Sequence, residues 1–151
     1  MVSTIQRQAD AVFTKHKEYA VLDTVTWTVS EVGELTGSSS SKAVIQGIFQ
    51  SLTDEDYTRI TAGHIPKSDL VMYTARAYTI HAGKYLVSTA TTQQFVYYPT
   101  NNSTTLPSTY GKYEVMKVED VGNIACSSPV GTSSANKVYT KSYLKEVMAT
   151  G

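Results

Sequence analysis

Three consecutive acidic residues form the densest group of side chains that could do chemistry. Asp54, Glu55 and Asp56 directly follow Thr53. Carboxylate oxygens are the ligands that hard cations prefer, so this run could bind a metal ion. Thr53, however, is a favoured N-cap residue, and negative charge in the first turn is stabilised by the helix dipole. The pattern therefore favours an ordinary helix start over a metal site.

The other reactive residues are scattered along the chain. His16, His64 and His81 have neither the spacing of a helical zinc site nor a cysteine cluster to support them. The single cysteine, Cys126, has no internal disulfide partner and no neighbouring cation to stabilise a thiolate. Neither a nucleophile elbow nor a glycine-rich phosphate loop is present. We therefore predict a non-enzymatic protein without cofactor or metal; the alternative is a small hydrolase whose site is assembled from scattered residues.

The composition narrows the class of partner. A chain of 151 residues is most simply one domain, spanning residues 1–151. Lys plus Arg and Asp plus Glu are equal at 13 each, whereas there are 16 Ser and 21 Thr. A neutral, hydroxyl-rich chain argues against tight nucleic-acid binding and offers little repulsion against self-association. No apolar run is long enough to span a bilayer, so we expect no membrane partner.

Two short helices are predicted. Residues 3–17 form the first, with Ile5, Ala9, Val12 and His16 on one face that docks on a sheet or a neighbouring subunit. Residues 53–62 form the second, which Gly63 ends.

The remaining chain favours strands. Val25, Trp27 and Val29 alternate with polar residues from Asp23 onward, which indicates a half-buried strand with Trp27 in the core. Residues 33–42 have the composition of a flexible loop. Gly47, inside the next strand, indicates a bulge or a close backbone approach. Further strands are predicted near 68–74, 85–87 and 112–121, with a second uncharged loop over 123–136. Residues 138–147 are predicted to form a strand, with a helix as the alternative.

The stretch from Tyr85 to Gly111 contains no charged side chain. Connections of this length are uncommon unless they are functional or disordered, so residues 88–110 are interpreted as an inserted arm that contacts another molecule. Tyrosine suits such contacts because it loses little rotamer freedom on burial. The candidate interaction residues of the loop and the arm are Thr36, Ser38, Ser39, Ser40, Tyr97, Tyr98, Asn101, Asn102 and Tyr110.

Taken together, the pattern predicts a mainly β fold. We expect a small antiparallel β-barrel or sandwich over residues 23–147, with an N-terminal helix, one short internal helix and long polar loops. Strands that do not alternate with helices argue against a parallel βαβ sheet.

The order of several short segments resembles the head-closure, or stopper, proteins of the head–tail connector in long-tailed bacteriophages. The segments are Gly47–Asp56, Ala62–Gly63, Ser68–Thr74, Ala82–Val87 and Gly111–Val115. The chain departs from the family pattern in two places, where Ser68-Asp69 and Gly83-Lys84 stand in for Gly-Asp steps. The long segment from Ser88 to Tyr110 also replaces a short connection of the family.

The resemblance implies a small β-barrel with a helix, assembled in the host cytoplasm as a ring of six- or twelve-fold symmetry in the neck of the virion. Its partners would be the portal–adaptor ring on one side and tail or tail-terminator proteins on the other. Loops of the family face the channel, retain the packaged double-stranded DNA by weak, non-specific contact and later let it pass. Two alternatives stay open: a tail-terminator or minor tail subunit, and a monomeric module that binds protein or glycan.

Overall fold

A computed structural model of the chain describes residues 4–15, 18–29, 35–76, 78–87, 90–121 and 138–150. Two helices and seven strands follow in the order α1 (Thr4–Lys15), β1 (Tyr19–Val29), β2 (Leu35–Gln50), α2 (Asp54–Thr61), β3 (Leu70–Ala75), β4 (Lys84–Val87), β5 (Ala90–Thr100), β6 (Tyr110–Val121) and β7 (Tyr139–Thr150). The predicted mainly β, antiparallel fold with two helices is confirmed. The sheet begins at Tyr19, four residues before the predicted start of the barrel.

The strands pair in a barrel-like ring. The order is β1-β2-β3-β7-β6-β5, and β5 returns to pair with β1, while β4 adds to the side of β5. Every pairing is antiparallel. The ring is not evenly closed, because β1 pairs with β2 from Tyr19↔Gln46 to Val29↔Leu35, whereas β2 and β3 pair only from Gly47↔Thr74 to Gln50↔Val71. Among the described strands, residues 35–46 of β2 therefore pair with β1 alone, as the outer strand of a long β1–β2 hairpin whose other strand also pairs with β5.

One face of the strands encloses the main core. Leu22, Ile45, Met72, Val96 and Leu144 are buried there together, and each comes from a different strand. A smaller cluster, of Leu52, Ile65, Val71 and Tyr143, lies on the opposite face of β3 and β7 beneath α2. Both helices thus pack on the outside of the ring.

The predicted face of α1 is not the one that packs on the sheet of the same chain. Ile5 and Val12 are 58% and 55% exposed, whereas Gln6 and Phe13 are buried. Phe13 brings the largest apolar side chain of the helix to the sheet, and the Nε atom of Arg76 lies 3.1 Å from Oδ2 of Asp10 on the same side. The buried stripe of α1 is therefore offset by one residue from the predicted stripe. His16 lies outside the described residues.

The predicted arm over residues 88–110 is corrected as well. Ala90–Thr100 is strand β5, which pairs with β1 along one edge and with β4 and then β6 along the other. The turn region between β5 and β6 is shorter, covering residues 101–109, and is largely exposed. The absence of charge reflects a strand whose two edges are both occupied and whose inward side chains, such as Gln94 and Val96, are buried.

The structure also decides three further expectations, on the loop at 33–42, on Trp27 and on Gly47. The part of residues 33–42 that is described, from Leu35 onward, is extended in β2 and paired with β1 rather than being a flexible loop. Trp27 is not a core residue, because the alternation of β1 places it on the outer face, where it is half-buried. Gly47 does mark a close approach: a Cβ atom there would lie 2.8 Å from the backbone oxygen of Tyr73. The predicted loop at 123–136 lies outside the described residues.

Candidate interaction surface

One broad outer surface crosses β2, β1, β5 and their neighbours β4 and β6. Cross-strand partners point to the same side of a sheet, so the register decides which side chains meet. Trp27 pairs with Thr91, which pairs with Leu86 on β4. We call this surface the lysine–aromatic face; it consists of Val25, Trp27, Lys42, Lys84, Leu86, Phe95 and Lys112.

Two of the three lysines of this face, Lys84 and Lys112, lie over aromatic rings. Nζ of Lys112 is 4.4 Å from the ring centroid of Phe95, and Nζ of Lys84 is 5.6 Å from that of Trp27. Such cation–π contacts contribute about 0.5–1 kcal/mol at exposed sites. The rings thus restrain the ammonium groups, and the face offers both charge and apolar area to a partner.

A buried carboxylate lies beneath the face. Asp23 is 4% exposed, and Oη of Tyr97 donates to its Oδ2 over 3.2 Å. Nζ of Lys42 is 3.9 Å from the same oxygen. Oδ1 has no hydrogen-bond partner among the described residues. Burial, together with the charge of Asp23, raises the pKa of Tyr97 to about 12, so the phenol stays protonated as the donor.

The predicted interface tyrosines are therefore part of the fold. Tyr97 is 8% exposed, and Tyr110 packs edge-on against its ring at a centroid distance of 5.4 Å. Tyr98 points to the other side of β5, where it stacks on Phe49 at 3.8 Å beside the main core. None of the three is a free contact residue, because their rings are used inside the molecule. Their β-sheet propensity explains their number better than binding does.

The predicted serine and asparagine residues do reach the surface. Ser38, Ser39 and Ser40 are exposed on β2, and Asn101 and Asn102 are exposed in the turn after β5. Ser38 and Ser40 share the outer side of β2 with Lys42, whereas Ser39 points to the opposite side. Thr36 lies in β2, but its side chain is outside the described part.

Sequence reasoning missed Asp23, although a signal was present. In β1 the outward positions are Val21, Asp23, Val25 and Trp27, so an acidic residue interrupts an apolar series. A charge in such a series is either exposed or paired, and here the pairing partner comes from β5. The sequence alone did not indicate that partner, because Tyr97 is far along the chain.

The acidic run at α2 forms a second polar cluster. The N–H and hydroxyl of Thr53 each donate to Oδ2 of Asp56 over 3.0 Å, and the N–H of Asp56 donates back to Thr53, which completes a capping box. Nζ of Lys141 donates to Oδ1 over 3.1 Å. Arg59 reaches both carboxylate oxygens of Glu119 at 3.3 Å. Helix α2 is thereby attached to β6 and β7.

The charge states of Asp56 and Lys141 are those expected of residues that hold α2 on the sheet by an ion pair. Burial would raise the pKa of Asp56, but hydrogen bonds from Thr53 and Lys141 outweigh it and lower the pKa. Burial would likewise lower the pKa of Lys141, and its bonds to Tyr143 and Asp56 raise it instead. Both groups are therefore ionised at neutral pH. Since Asp56 is already satisfied by its own chain, it is poorly suited to hold a metal, and the described residues contain no group of three or more potential ligands.

The histidines occupy ordinary surface positions. His64 is exposed, and its backbone oxygen accepts from Nζ of Lys117 over 3.1 Å. His81 is exposed and stacks on Tyr85 at a centroid distance of 4.2 Å. Neither faces an acid or a nucleophile in the contacts of the described residues. Cys126 lies outside them.

An apolar groove of about 430 Å³ runs between α1 and the sheet. Its lining includes Val12, Phe13, Ile48, Tyr73 and Tyr139. Polar groups that could orient a small ligand are few, because Gln50 is the single polar amide there. The groove suits packing rather than chemistry.

No protein-family model, curated protein or solved structure matches this chain. In the described part of the chain, neither helix has the length and apolar character needed to cross a bilayer.

Proposed function

We propose that this chain is a structural subunit of a bacteriophage neck ring, of the stopper type, that joins the DNA-filled head to the tail. It would retain the packaged DNA and form part of its exit channel. Its partners would be further copies of itself in the ring, the portal–adaptor complex and the tail proteins. The observation that carries the proposal is the charge-free stretch from Leu35 to Ser41 in strand β2 of the β1–β2 hairpin, whose side chains at residues 38–41 are exposed.

The hairpin has the properties that a channel contact requires. No charged residue occurs from Leu35 to Ser41, and residues 38–41 are exposed. Seven extended residues present about 23 Å of uncharged strand. Lysines would bind phosphates and slow DNA exit, whereas acids would repel them. Hydroxyl groups hydrogen-bond without holding the DNA by charge.

Two of the segments that carry the stopper resemblance pair with each other in the barrel. Gly47–Asp56 is the end of β2 and the start of α2, and Ser68–Thr74 leads into β3, the partner of that same stretch of β2. Gly111–Val115 lies in β6, whose neighbour β7 pairs with β3. The pairing of β2 with β3 supports the proposal only for these two segments, since β6 and β4 lie elsewhere in the strand order.

The charged clusters also support a structural role. Asp56 and Glu119 are engaged by Lys141 and Arg59, and Asp23 is engaged by Tyr97. Each carboxylate thus stabilises a junction between elements. A nucleophile with an adjacent base does not occur among the described contacts.

Location tests the proposal. Virus particles from the source lysate are labelled with gold-tagged antibody against this chain and imaged, with purified tails and empty heads as controls. The proposal expects label confined to the head–tail junction of filled particles. Label on free tails would favour a tail terminator or minor tail subunit, and particles without any label would overturn the virion assignment.

A second candidate, a monomeric module that binds protein or glycan, is favoured by the lysine–aromatic face. Trp27 and Phe95 offer ring area, and Lys42 offers a donor beside them. Unlabelled particles, together with a lysate partner lost on Trp27→Ala, would support this candidate instead.

A further inference from the structure

Strand β2 has one free edge. Within the described part of the chain, residues 35–46 pair with β1 and have no partner on their other side. The N–H of Gly47 donates to the oxygen of Glu18 over 3.2 Å, so Gly47 belongs to a hydrogen-bonded pair with β1. Such pairs alternate along an antiparallel ladder. The outward N–H and C=O groups therefore belong to the even-numbered residues Ser38, Ser40, Lys42 and Val44.

This edge lacks most of the features that keep sheet edges apart. Leu35–Gln50 contains no proline, and Lys42 is its single charged residue. Its exposed side chains from Ser38 to Ser41 are small, so they do not obstruct a second strand. Edges of this length, about 40 Å for the free residues, are ready templates for pairing with another chain.

Strand β4 has a free edge at the far side of the same layer. It pairs with β5 through Lys84↔Gln93 to Val87↔Ala90 and with no other described strand. Leu86 on this strand is 73% exposed, the highest value among the exposed large hydrophobic residues. An edge strand with an exposed leucine fits a contact that covers it.

The two free edges match in direction. The layer β2-β1-β5-β4 contains four strands in which each neighbour runs opposite to the last. Its first and last strands therefore run in opposite directions. We infer that β4 of one copy of this chain pairs with the free edge of β2 in the next copy, as an antiparallel extension of the sheet.

This contact is heterologous, because each copy presents a different edge on each side. Repeating it gives a closed ring or an open filament. The chain carries no net charge, so accumulating copies meet little long-range repulsion. The inference stands apart from the proposed function, since it concerns the purified chain and not its location in a particle.

Cysteine trapping tests the contact in the full chain. On a Cys126→Ala background, Ser38→Cys or Ser40→Cys is mixed at high concentration with Lys84→Cys or Leu86→Cys under mild oxidation. Tyr57→Cys, at a position 55% exposed on α2, measures random collision. Because a docked edge raises the effective concentration, at least one β2–β4 combination should exceed the Tyr57→Cys yield by about tenfold. Yields at the collision level for all four combinations, or trapping between β2 edges alone, would overturn the inference.

A proline variant distinguishes backbone pairing at the β2 edge from contacts that are made by side chains alone. Ser40→Pro removes an N–H that points outward and leaves the β1 ladder intact, and Ser40→Thr is the matched control. Each substitution is combined with Ser38→Cys, and thermal unfolding first shows that both double variants are folded. Each double variant is then mixed with the Leu86→Cys variant and, separately, with the Lys84→Cys variant. The inference expects trapping to survive in the threonine variant and to be lost in the proline variant. Equal trapping in the two would overturn it.

Discussion

Tyr97 on β5 donates a hydrogen bond to Asp23 on β1, with 3.2 Å between Oη and Oδ2, and both residues are buried on the outer side of the sheet. The bond links strands far apart in sequence at the point where the ring closes. It satisfies only one of the two carboxylate oxygens, so the loss of Tyr97 Oη would leave Asp23 dependent on Lys42.

Tyr97→Phe should therefore lower the free energy of unfolding by about 1–3 kcal/mol, the cost of leaving a buried acceptor without its donor. The measurement is chemical denaturation at neutral pH. Tyr57→Phe, on an exposed tyrosine of α2, is the control and should change the free energy by less than about 0.5 kcal/mol. Equal effects of the two variants would contradict the role of the bond.

The same pair predicts a pH dependence. The folded-state pKa of Tyr97, about 12, lies above its ordinary value of 10.0. Its contribution to stability is thus fully present below pH 10 and is lost as the pH rises toward 12. The stability of the wild type should fall relative to Tyr97→Phe across that interval. Denaturation curves of both proteins at several alkaline pH values check this, and parallel pH profiles would refute it.

Asp56→Asn should destabilise the chain strongly, because Lys141 would keep a buried charge without its carboxylate partner. We expect a loss on the order of 3–5 kcal/mol. Asp54→Asn, an exposed acid in the same helical turn, is the matched control and should cost about 0.3–1 kcal/mol. Thermal or urea unfolding of both variants measures the difference.

Asp56 also predicts sensitivity to acid. The pKa of Asp56 in the folded protein is lowered from 3.8. Its contribution to the free energy of unfolding is therefore fully present above pH 3.8 and is lost as the pH falls through the folded-state pKa. The wild type should therefore lose stability relative to Asp56→Asn on acidification. An unchanged difference between the two proteins down to strong acid would contradict the assignment.

Gly47→Ala should cost about 1–3 kcal/mol, since its new methyl group would lie 2.8 Å from the backbone oxygen of Tyr73. Gly111→Ala is the comparison, because its methyl group would meet the end of the Tyr113 side chain at the same distance. A side chain can turn away more readily than a backbone carbonyl. The free energy of unfolding should fall more at Gly47, and the reverse order would show that β2 and β3 can separate.

The β1–β2 hairpin predicts a change in DNA binding. Adding Ser38→Lys and Ser40→Lys should steepen the salt dependence of binding to double-stranded DNA by about 0.9 in log–log slope for each additional phosphate that a lysine neutralises. The paired Ser→Thr substitutions serve as the uncharged control. Fluorescence anisotropy over a salt series gives both slopes, and identical slopes would exclude the hairpin from the DNA interface.

Local signals in the sequence were sufficient for α2. Thr53 and the acids after it predict the N-terminus, and the structure adds the reciprocal Thr53–Asp56 bonds. The alternation in β1 and the close approach at Gly47 are likewise features of a few neighbouring residues. These properties depend on short-range geometry, which one sequence contains.

Features that depend on distant partners were not predictable in the same way. The strand nature of Ala90–Thr100 follows from three pairing strands, and a polar, charge-free composition was equally compatible with an arm. The buried side of α1 depends on which surface of the sheet receives Phe13. For the candidate site, the exposure of residues 38–40 followed from composition, whereas the burial of Tyr97 and Tyr98 required knowledge of Asp23 and Phe49.

The placement of β7 has a consequence for biosynthesis. This last strand fills the space between β3 and β6, and β1 must wait for β5 before it acquires its second neighbour. In a nascent chain that ends before Tyr139, β3 and β6 would therefore each have one unpaired edge, the edge that β7 occupies in the complete sheet. Long-range pairing of this kind slows folding and leaves aggregation-prone edges exposed. The pairing of β3 and β6 within the sheet is consequently completed only after Tyr139–Thr150 has been synthesised.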